Sequence, residues 1–320
     1  MPACGRELTQ RSEPTQGSEL TQGSELTQGC EPTQRCERTQ RDARGLCAVG
    51  LSGWDTFGDL MADRSLFRRE LGRYFAAQQF LTRLPVPRWT PYAPDDLAAS
   101  LKWFSVVGVF IGGAVGGVAV ALREVVTPTF AAIIAVAVGA VLTGAFHEDG
   151  FADTCDAFGG YTVERRREIM RDSRVGTFGA LGLVVLFSAK VSVLVAVLAV
   201  ESNWRVVAVA LCAHTASRAA TVVAVRVLPP VDDPTSKTKP YRATWPGVAF
   251  ALAMPAVPIA VWALGWNATF AAGAIVLVIE GARVFFGRFI GGVNGDGLGA
   301  INQVAEVIVW AVAARRAVGR

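Results

Sequence analysis

The chain has 320 residues, of which 52% are hydrophobic and 18% charged, with a formal net charge of +4. So apolar and weakly charged a composition, with a positive mean hydropathy, fits a protein that crosses a membrane several times better than a soluble one. The mild positive charge lacks the clustered basic and aromatic pattern of a nucleic-acid surface, so no nucleic-acid partner is expected.

Residues 1–60 differ from the rest. From Glu7 a polar hexapeptide repeats, "ELTQRS EPTQGS ELTQGS ELTQGC EPTQRC ERTQRD". It carries too little apolar surface to offset the entropy of ordering, which predicts a disordered tail. It has no charged start with an apolar core and cleavage site, so it does not read as a signal peptide. Cys4, Cys30, Cys36 and Cys47 fall in this tail, while Cys155 and Cys212 fall in the body at no metal-ligand spacing. The folded part is expected over 61–320. It opens with "LFRRELGRYFAAQQFLTRL", whose apolar residues at helical spacing oppose a basic face, as in a helix lying at a membrane interface. "LPVPRW" ends it, because proline cannot continue the hydrogen-bond ladder.

Six apolar runs are long enough to span a bilayer, which takes about 20 residues: Leu101 to Leu122, Thr129 to Phe146, Phe178 to Val200, Arg205 to Val225, Gly247 to Trp266 and Thr269 to Phe286. A last piece, Ala300 to Ala314, is short and holds Glu306, so a re-entrant or tilted segment is expected there. The fold class is all-α, a polytopic membrane helical bundle of about six to seven transmembrane helices. Arg165, Arg166, Arg167, Arg171 and Arg174 follow the second run, and Arg226, Lys237, Lys239 and Arg242 follow the fourth, against only Arg123 and Arg205 on the other side. The positive-inside rule then puts the segment after the second run on the cytoplasmic side. Arg315, Arg316 and Arg320 suit a cytoplasmic C-terminus, which requires an even number of crossings.

That segment, His147 to Gly160, reads "HEDGFADTCDAFGG" and carries Glu148, Asp149, Asp153 and Asp156. Ionisable groups beside hydrocarbon are costly, which makes the cluster a functional-site hypothesis. Asp149, Asp153 and Asp156 stand at i, i+4 and i+7 and share one face if the segment is helical. Like charges so close resist ionisation unless a cation sits among them, and oxygen ligands with open positions suit Mg²⁺, which completes its shell with water and substrate phosphate. The competing reading is a solvated helix start favoured by the dipole. Downstream, "RRREIMRDSRVG" places Arg171, Asp172, Ser173 and Arg174 before the third run, with guanidinium forks that match phosphate oxygens. Lys190 lies inside the third run, and Ser217 and Arg218 inside the fourth, with His214 one turn from Arg218. Glu280 and Arg283 stand at i, i+3 in the sixth. "GGVNGDGLGAINQVAE" returns Asp296 on a Gly-rich loop to the side of the first cluster.

"FLTRLPVP" at Phe80 to Pro87, "HEDGFADTCDAFGG", "IMRDSRVGTFGALGL" at Ile169 to Leu183 and "GGVNGDGLGAINQVAE" at Gly291 to Glu306 together resemble the cobalamin synthase family, the adenosylcobinamide-GDP ribazoletransferases. The resemblance runs in order from about Ser65 to the C-terminus. One departure is Asn294, where the family usually has Thr.

The resemblance implies a Mg²⁺-dependent, multi-pass enzyme of the bacterial inner membrane with its active site facing the cytoplasm. It would transfer the adenosylcobinamide phosphate moiety from adenosylcobinamide-GDP to α-ribazole or its 5′-phosphate and release GMP. Asp149, Asp153 and Asp156 would hold the metal, and one of them or His147 would accept the hydroxyl proton. Asp172 and Arg174 join them as catalytic candidates. Arg171, Ser173, Lys190, Arg218 and Asp296 are candidates for substrate binding. The alternative enzyme, a CDP-alcohol phosphatidyltransferase, expects Arg where Asp153 stands. A secondary transporter using Lys190, Arg218, Glu280 and Arg283 is a third reading, but the chain shows no internal symmetry of the kind transporters carry.

Overall fold

The computed structural model describes residues 52–91, 93–231 and 243–318. The chain divides into two units, Met1–Leu60 and Met61–Arg320, and the second carries everything that follows. The hexapeptide repeats, Lys237, Lys239 and Arg242 lie outside the described residues. The first helix, α1, spans Ser52–Leu81, so the backbone is already helical over 52–60, within the stretch expected to be a disordered tail.

The architecture is all-α, and no strand forms among the described residues. In chain order follow α2 (Pro94–Ser100), α3 (Phe104–Arg123), α4 (Pro128–Thr143), α5 (Phe146–Asp156), α6 (Val163–Ile169), α7 (Thr177–Val200), α8 (Asn203–Val227), α9 (Trp245–Ala251), α10 (Val257–Leu264), α11 (Asn267–Phe289) and α12 (Gly295–Val318). Among the described residues six helical stretches are long and apolar enough to cross a membrane: Asp95–Arg123, Thr177–Val200, Asn203–Val227, Trp245–Leu264, Asn267–Phe289 and Gly295–Arg315. The protein is a polytopic membrane bundle.

Two of the expected spans take a different form. The run Thr129 to Phe146 is not one straight helix, because α4 and α5 meet at 94°. The corner is built by Gly144 and Ala145, both left-handed, at φ 66° and 55°. Glycine adopts that conformation freely and alanine does so at a cost. Arg83 closes over the corner, its backbone N–H donating to the Leu142 carbonyl at 2.9 Å, and a Cβ on Gly144 would collide with its side chain. The last apolar piece is also more than a re-entrant stub: α12 has 24 residues and passes as a full span.

The interior is set by how closely helices approach. α3 lies against α8 along Gly108, Gly112 and Gly116, where an added Cβ would come within 2.5 to 2.9 Å of His214, Ala210 and Val207. Small residues at that spacing let two membrane helices pack backbone to backbone. Burial of 78% for α8 and 72% for the α12 span puts both at the centre, while α7 at 28% and α11 at 22% lie at the periphery, where Leu181, Val184, Val276 and Leu277 face outward. The span α9 to α10 contains a π-helical turn, Leu252–Ala256, around Pro255. Proline cannot donate to the Ala251 carbonyl; the Ser105 hydroxyl of α3 does so instead, at 2.8 Å.

Candidate active site

The acidic segment, the arginine loop and the Gly-rich loop converge on one end of the bundle. Arg166 donates to the Phe289 carbonyl and Arg167 to that of Ile290, which ties α6 to the end of α11. At the end of α8, Val293 and Pro229 exchange backbone bonds with their neighbours, Val293 N–H to Pro229 at 2.8 Å and Val231 N–H to Val293 at 3.0 Å. These arginines therefore act as helix ties, and Arg165 pairs with Glu168.

The segment from Phe146 to Asp156 is helical, and α12 crosses it at contact distance: a Cβ on Gly150 would come within 2.8 Å of the Asp296 Cα, and one on Gly299 within 3.2 Å of the His147 carbonyl. Asp149 is exposed, and Asp153 and Asp296 are half-buried. The charges of Asp296 and Asp149 both reach Asp153. None of these three carboxylates is ion-paired to a described Lys or Arg. Asp296 accepts a hydrogen bond from the Asn294 amide at 2.8 Å, and the Asn294 side-chain carbonyl accepts from the Gly297 N–H at 2.9 Å. The departure at Asn294 thus caps the start of α12 and orients Asp296.

Asp156 does not belong with them. Its Oδ2 accepts from the Gly176 N–H and its Oδ1 from the Gly179 N–H, both at 2.7 Å, so it caps α7 from a neighbouring helix. A Cβ on either glycine would clash with the Asp156 carboxylate, which accounts for both glycines of "SRVGTFG". Each Asp156 oxygen, expected as a metal ligand, thus already accepts one backbone N–H, which sets it apart from Asp149 and Asp153.

Among the described residues no three His, Cys, Asp or Glu side chains stand close enough to share an ion. Mg²⁺ needs only one or two carboxylates when substrate phosphates and water complete its shell, and Asp149 and Asp153 at i, i+4 beside Asp296, with no counter-cation among the described residues, fit that demand.

Asp172, Ser173 and Arg174 lie on the loop that leads into the clasped start of α7. Arg174 forks onto Asp172, Nε to Oδ1 at 3.0 Å and Nη2 to Oδ2 at 2.6 Å. That fork holds the Asp172 carboxyl down at about 2. Arg171 and Ser173 are exposed on the same loop, as phosphate-binding groups must be.

Three other expected site residues lie elsewhere. His147 is buried, 3% exposed, with Nδ1 unpartnered, on the interior side of α5 rather than beside Asp149 at the surface. Lys190 and Arg218 are also inside. Lys190 Nζ stands 2.9 Å from Glu306 Oε1 and 3.4 Å from Glu148 Oε1. Arg218 Nη1 stands 3.7 Å from Glu306 Oε2 and 3.1 Å from His214 Nδ1, and it donates to Ser217 Oγ at 3.0 Å. Both are buried among the helices that surround them. Glu148, His214 and Glu306 went unassigned in the sequence; the signal available was Glu306, a lone acid in an apolar helix. Glu280 and Arg283 pair at 3.0 Å on an exposed face of α11 and do not join this interior group, so the four ionisable groups of a transporter path do not line up.

Comparison with known proteins bears on this geometry. The cobalamin-5-phosphate synthase family model matches residues 73–314. The chain belongs to that family. It is similar to the adenosylcobinamide-GDP ribazoletransferases of Leptothrix cholodnii, 37% identical over 246 residues that cover 74% of this chain and 92% of that one, and of Polaromonas naphthalenivorans, 39% identical over 265 residues, covering 74% and 95%. That of Shewanella frigidimarina is 37% identical over 255 residues, covering 76% and 94%. No solved structure matches. The matched span contains the whole acidic segment, the arginine loop and Asp296.

Proposed function

We propose that the protein is an adenosylcobinamide-GDP ribazoletransferase that works at the cytoplasmic face of the bacterial inner membrane. The observation that carries the chemistry is the group of Asp149, Asp153 and Asp296, uncompensated carboxylates gathered at one end of a membrane bundle, with an arginine loop at the end of the same helix. A ribose hydroxyl of the acceptor attacks the phosphorus nearer the cobinamide, the bond from that phosphorus to the bridging oxygen of the diphosphate breaks, and GMP leaves. The family description names a product that keeps a 5-phosphate, so the attacking hydroxyl is one other than the 5′, and α-ribazole and its 5′-phosphate present the same nucleophile.

Asp149 and Asp153, beside Asp296, would hold Mg²⁺, which when bound neutralises diphosphate charge and stabilises the transferring phosphoryl group. The protein's own part is positioning and proton transfer. Arg171 and Ser173 face the solvent where the diphosphate enters, and Arg174 is held in place by Asp172. The hydroxyl proton passes to a carboxylate of the acidic face, the bases exposed at that end. Asp156 acts at one remove by fixing the start of α7 and hence the loop that bears the arginines.

The test is GMP release by membranes containing the protein, supplied with adenosylcobinamide-GDP and α-ribazole. Asp153→Asn keeps size and hydrogen-bonding capacity but removes a charge that a hard cation requires. Turnover should fall by orders of magnitude while insertion and thermal stability persist, with partial recovery at high Mg²⁺ or with Mn²⁺. Near-normal turnover at limiting Mg²⁺ would remove Asp153 from the ligand set, and absence of GMP release from the parent would remove the activity itself.

A further inference from the structure

Beneath the acidic face lies an ionic cluster that the reaction itself does not use. Glu148 of α5, Lys190 of α7, His214 and Arg218 of α8 and Glu306 of α12 are each at most 6% exposed. They line a pocket between α3, α4 and the central helices, closed by Val115, Val136, Thr143 and Trp310. Two carboxylates face a lysine and an arginine, so the cluster is charge-balanced with His214 neutral. Burying such a set costs several kcal/mol per ion before pairing, and a membrane interior makes packing alone the cheaper choice. A bundle that keeps it gains something other than stability.

The connections show what is gained. α5 carries Asp149 and Asp153, and α12 carries Asp296 on its first turn. Lys190 is the one described cation that bonds acids of both, Glu148 on α5 and Glu306 on α12. The helix that bears Lys190, α7, is also clasped at its start by Asp156 of α5. α5 is therefore held by α7 at both ends, through Glu148 at the first turn and Asp156 at the last, with Asp149 and Asp153 between the two anchors. Glu148 Oε2, His214 Nε2 and Arg218 Nε remain without partners, and the pocket they line has room for about one water molecule bonded among them.

We propose that Lys190 is a positioning residue for the transfer reaction: by bridging Glu148 and Glu306 it fixes the carboxylates of α5 against Asp296, without touching substrate. This rests on the reading of those carboxylates as the metal-holding face. It replaces the substrate-binding role expected of Lys190 and gives the buried Glu148 and Glu306 a function.

The test uses the full-length protein in detergent or nanodiscs. Lys190→Met alone would strand two buried carboxylates, so the informative variant is Lys190→Met combined with Glu148→Gln, which removes one charge of each sign. Its melting temperature, Mn²⁺ affinity by electron paramagnetic resonance, and kcat and KM are compared with the parent. Displacing groups behind a metal site costs about 10- to 100-fold in affinity or activity. The expected result is a folded protein in which Mn²⁺ binds more weakly by about that factor and kcat falls similarly, while the KM for the activated corrinoid stays within about twofold, since groups that contact substrate are unchanged. A folded variant with parental Mn²⁺ affinity and kcat overturns the proposal, as does one that loses only melting temperature. If the parent binds no Mn²⁺, the metal reading falls and kcat alone decides the brace. Should the double variant fail to insert, Glu148→Gln alone leaves the Lys190 to Glu306 pair in place and carries the same expectations.

Discussion

At the scale of single residues, acids that look equivalent along the chain have different work. Asp149, Asp153 and Asp156 share a helical face by spacing, yet Asp156 spends both oxygens on backbone N–H groups of α7. Hydrogen bonds to a charged group contribute about 1.5–3 kcal/mol each. Asp156→Ala should therefore lower thermal stability in detergent, by about 3–6 kcal/mol for the two bonds, whereas Asp153→Asn should leave it unchanged; equal stability in the two variants would refute the division. The Asp172 and Arg174 pair gives a pH expectation. Its folded value of about 2 lies below the ordinary 3.8, so the pair's contribution is complete above about pH 4 and is lost only as pH falls through 2. The acid limb of a pH–rate profile above pH 4 should thus be the same in the parent and in Asp172→Asn, although the rate itself drops. A limb that disappears in the variant would show that Asp172 titrates in the working range.

At the scale of elements, glycine positions decide which helices meet. Gly112 and Gly117 are both in α3, and periodicity alone treats them alike. A Cβ on Gly112 would come within 2.6 Å of the Ala210 carbonyl, while nothing lies within 4 Å of Gly117. Gly112→Ala should weaken the α3 to α8 contact and cut the yield of folded protein, and Gly117→Ala should be silent; fluorescence-detected size exclusion and thermal melts compare them. The corner at Gly144 and Ala145 belongs here too, since the left-handed pair converts an apolar run of ordinary length into α4 followed by a site helix at 94°. Without that corner the acids of α5 would run on along the axis of α4, away from the start of α12.

At the scale of the whole molecule, the basic residues that set orientation are few and most are structurally engaged: Arg166 and Arg167 hold α11, and Arg123 donates to the Glu201 carbonyl at the opposite end. Sidedness can be read directly at two exposed positions, Tyr161 at 97% and Trp266 at 89%. In a cysteine-free background, Tyr161→Cys should be shielded from an impermeant thiol reagent in intact cells and Trp266→Cys should react. The reverse pattern would place the acidic face outside the cytoplasm.

The sequence by itself determined the class of protein, because spans of about 20 apolar residues need no tertiary context to be recognised, and it determined the motifs, because "HEDGFADTCD" and "DSRVG" are local patterns. It also located the acidic face on a helix through the spacing of Asp149 and Asp153. What it could not supply was partnership across helices. Period and spacing place Lys190, Arg218 and Glu306 inside apolar runs, but only the packing of α5, α7, α8 and α12 turns them into one charge-balanced cluster. The division between Asp153, left open at the surface, and Asp156, consumed by the start of α7, has the same origin: each side chain is an identical carboxylate in the sequence, and its chemistry is set by which N–H groups or charges another helix brings within 3 Å.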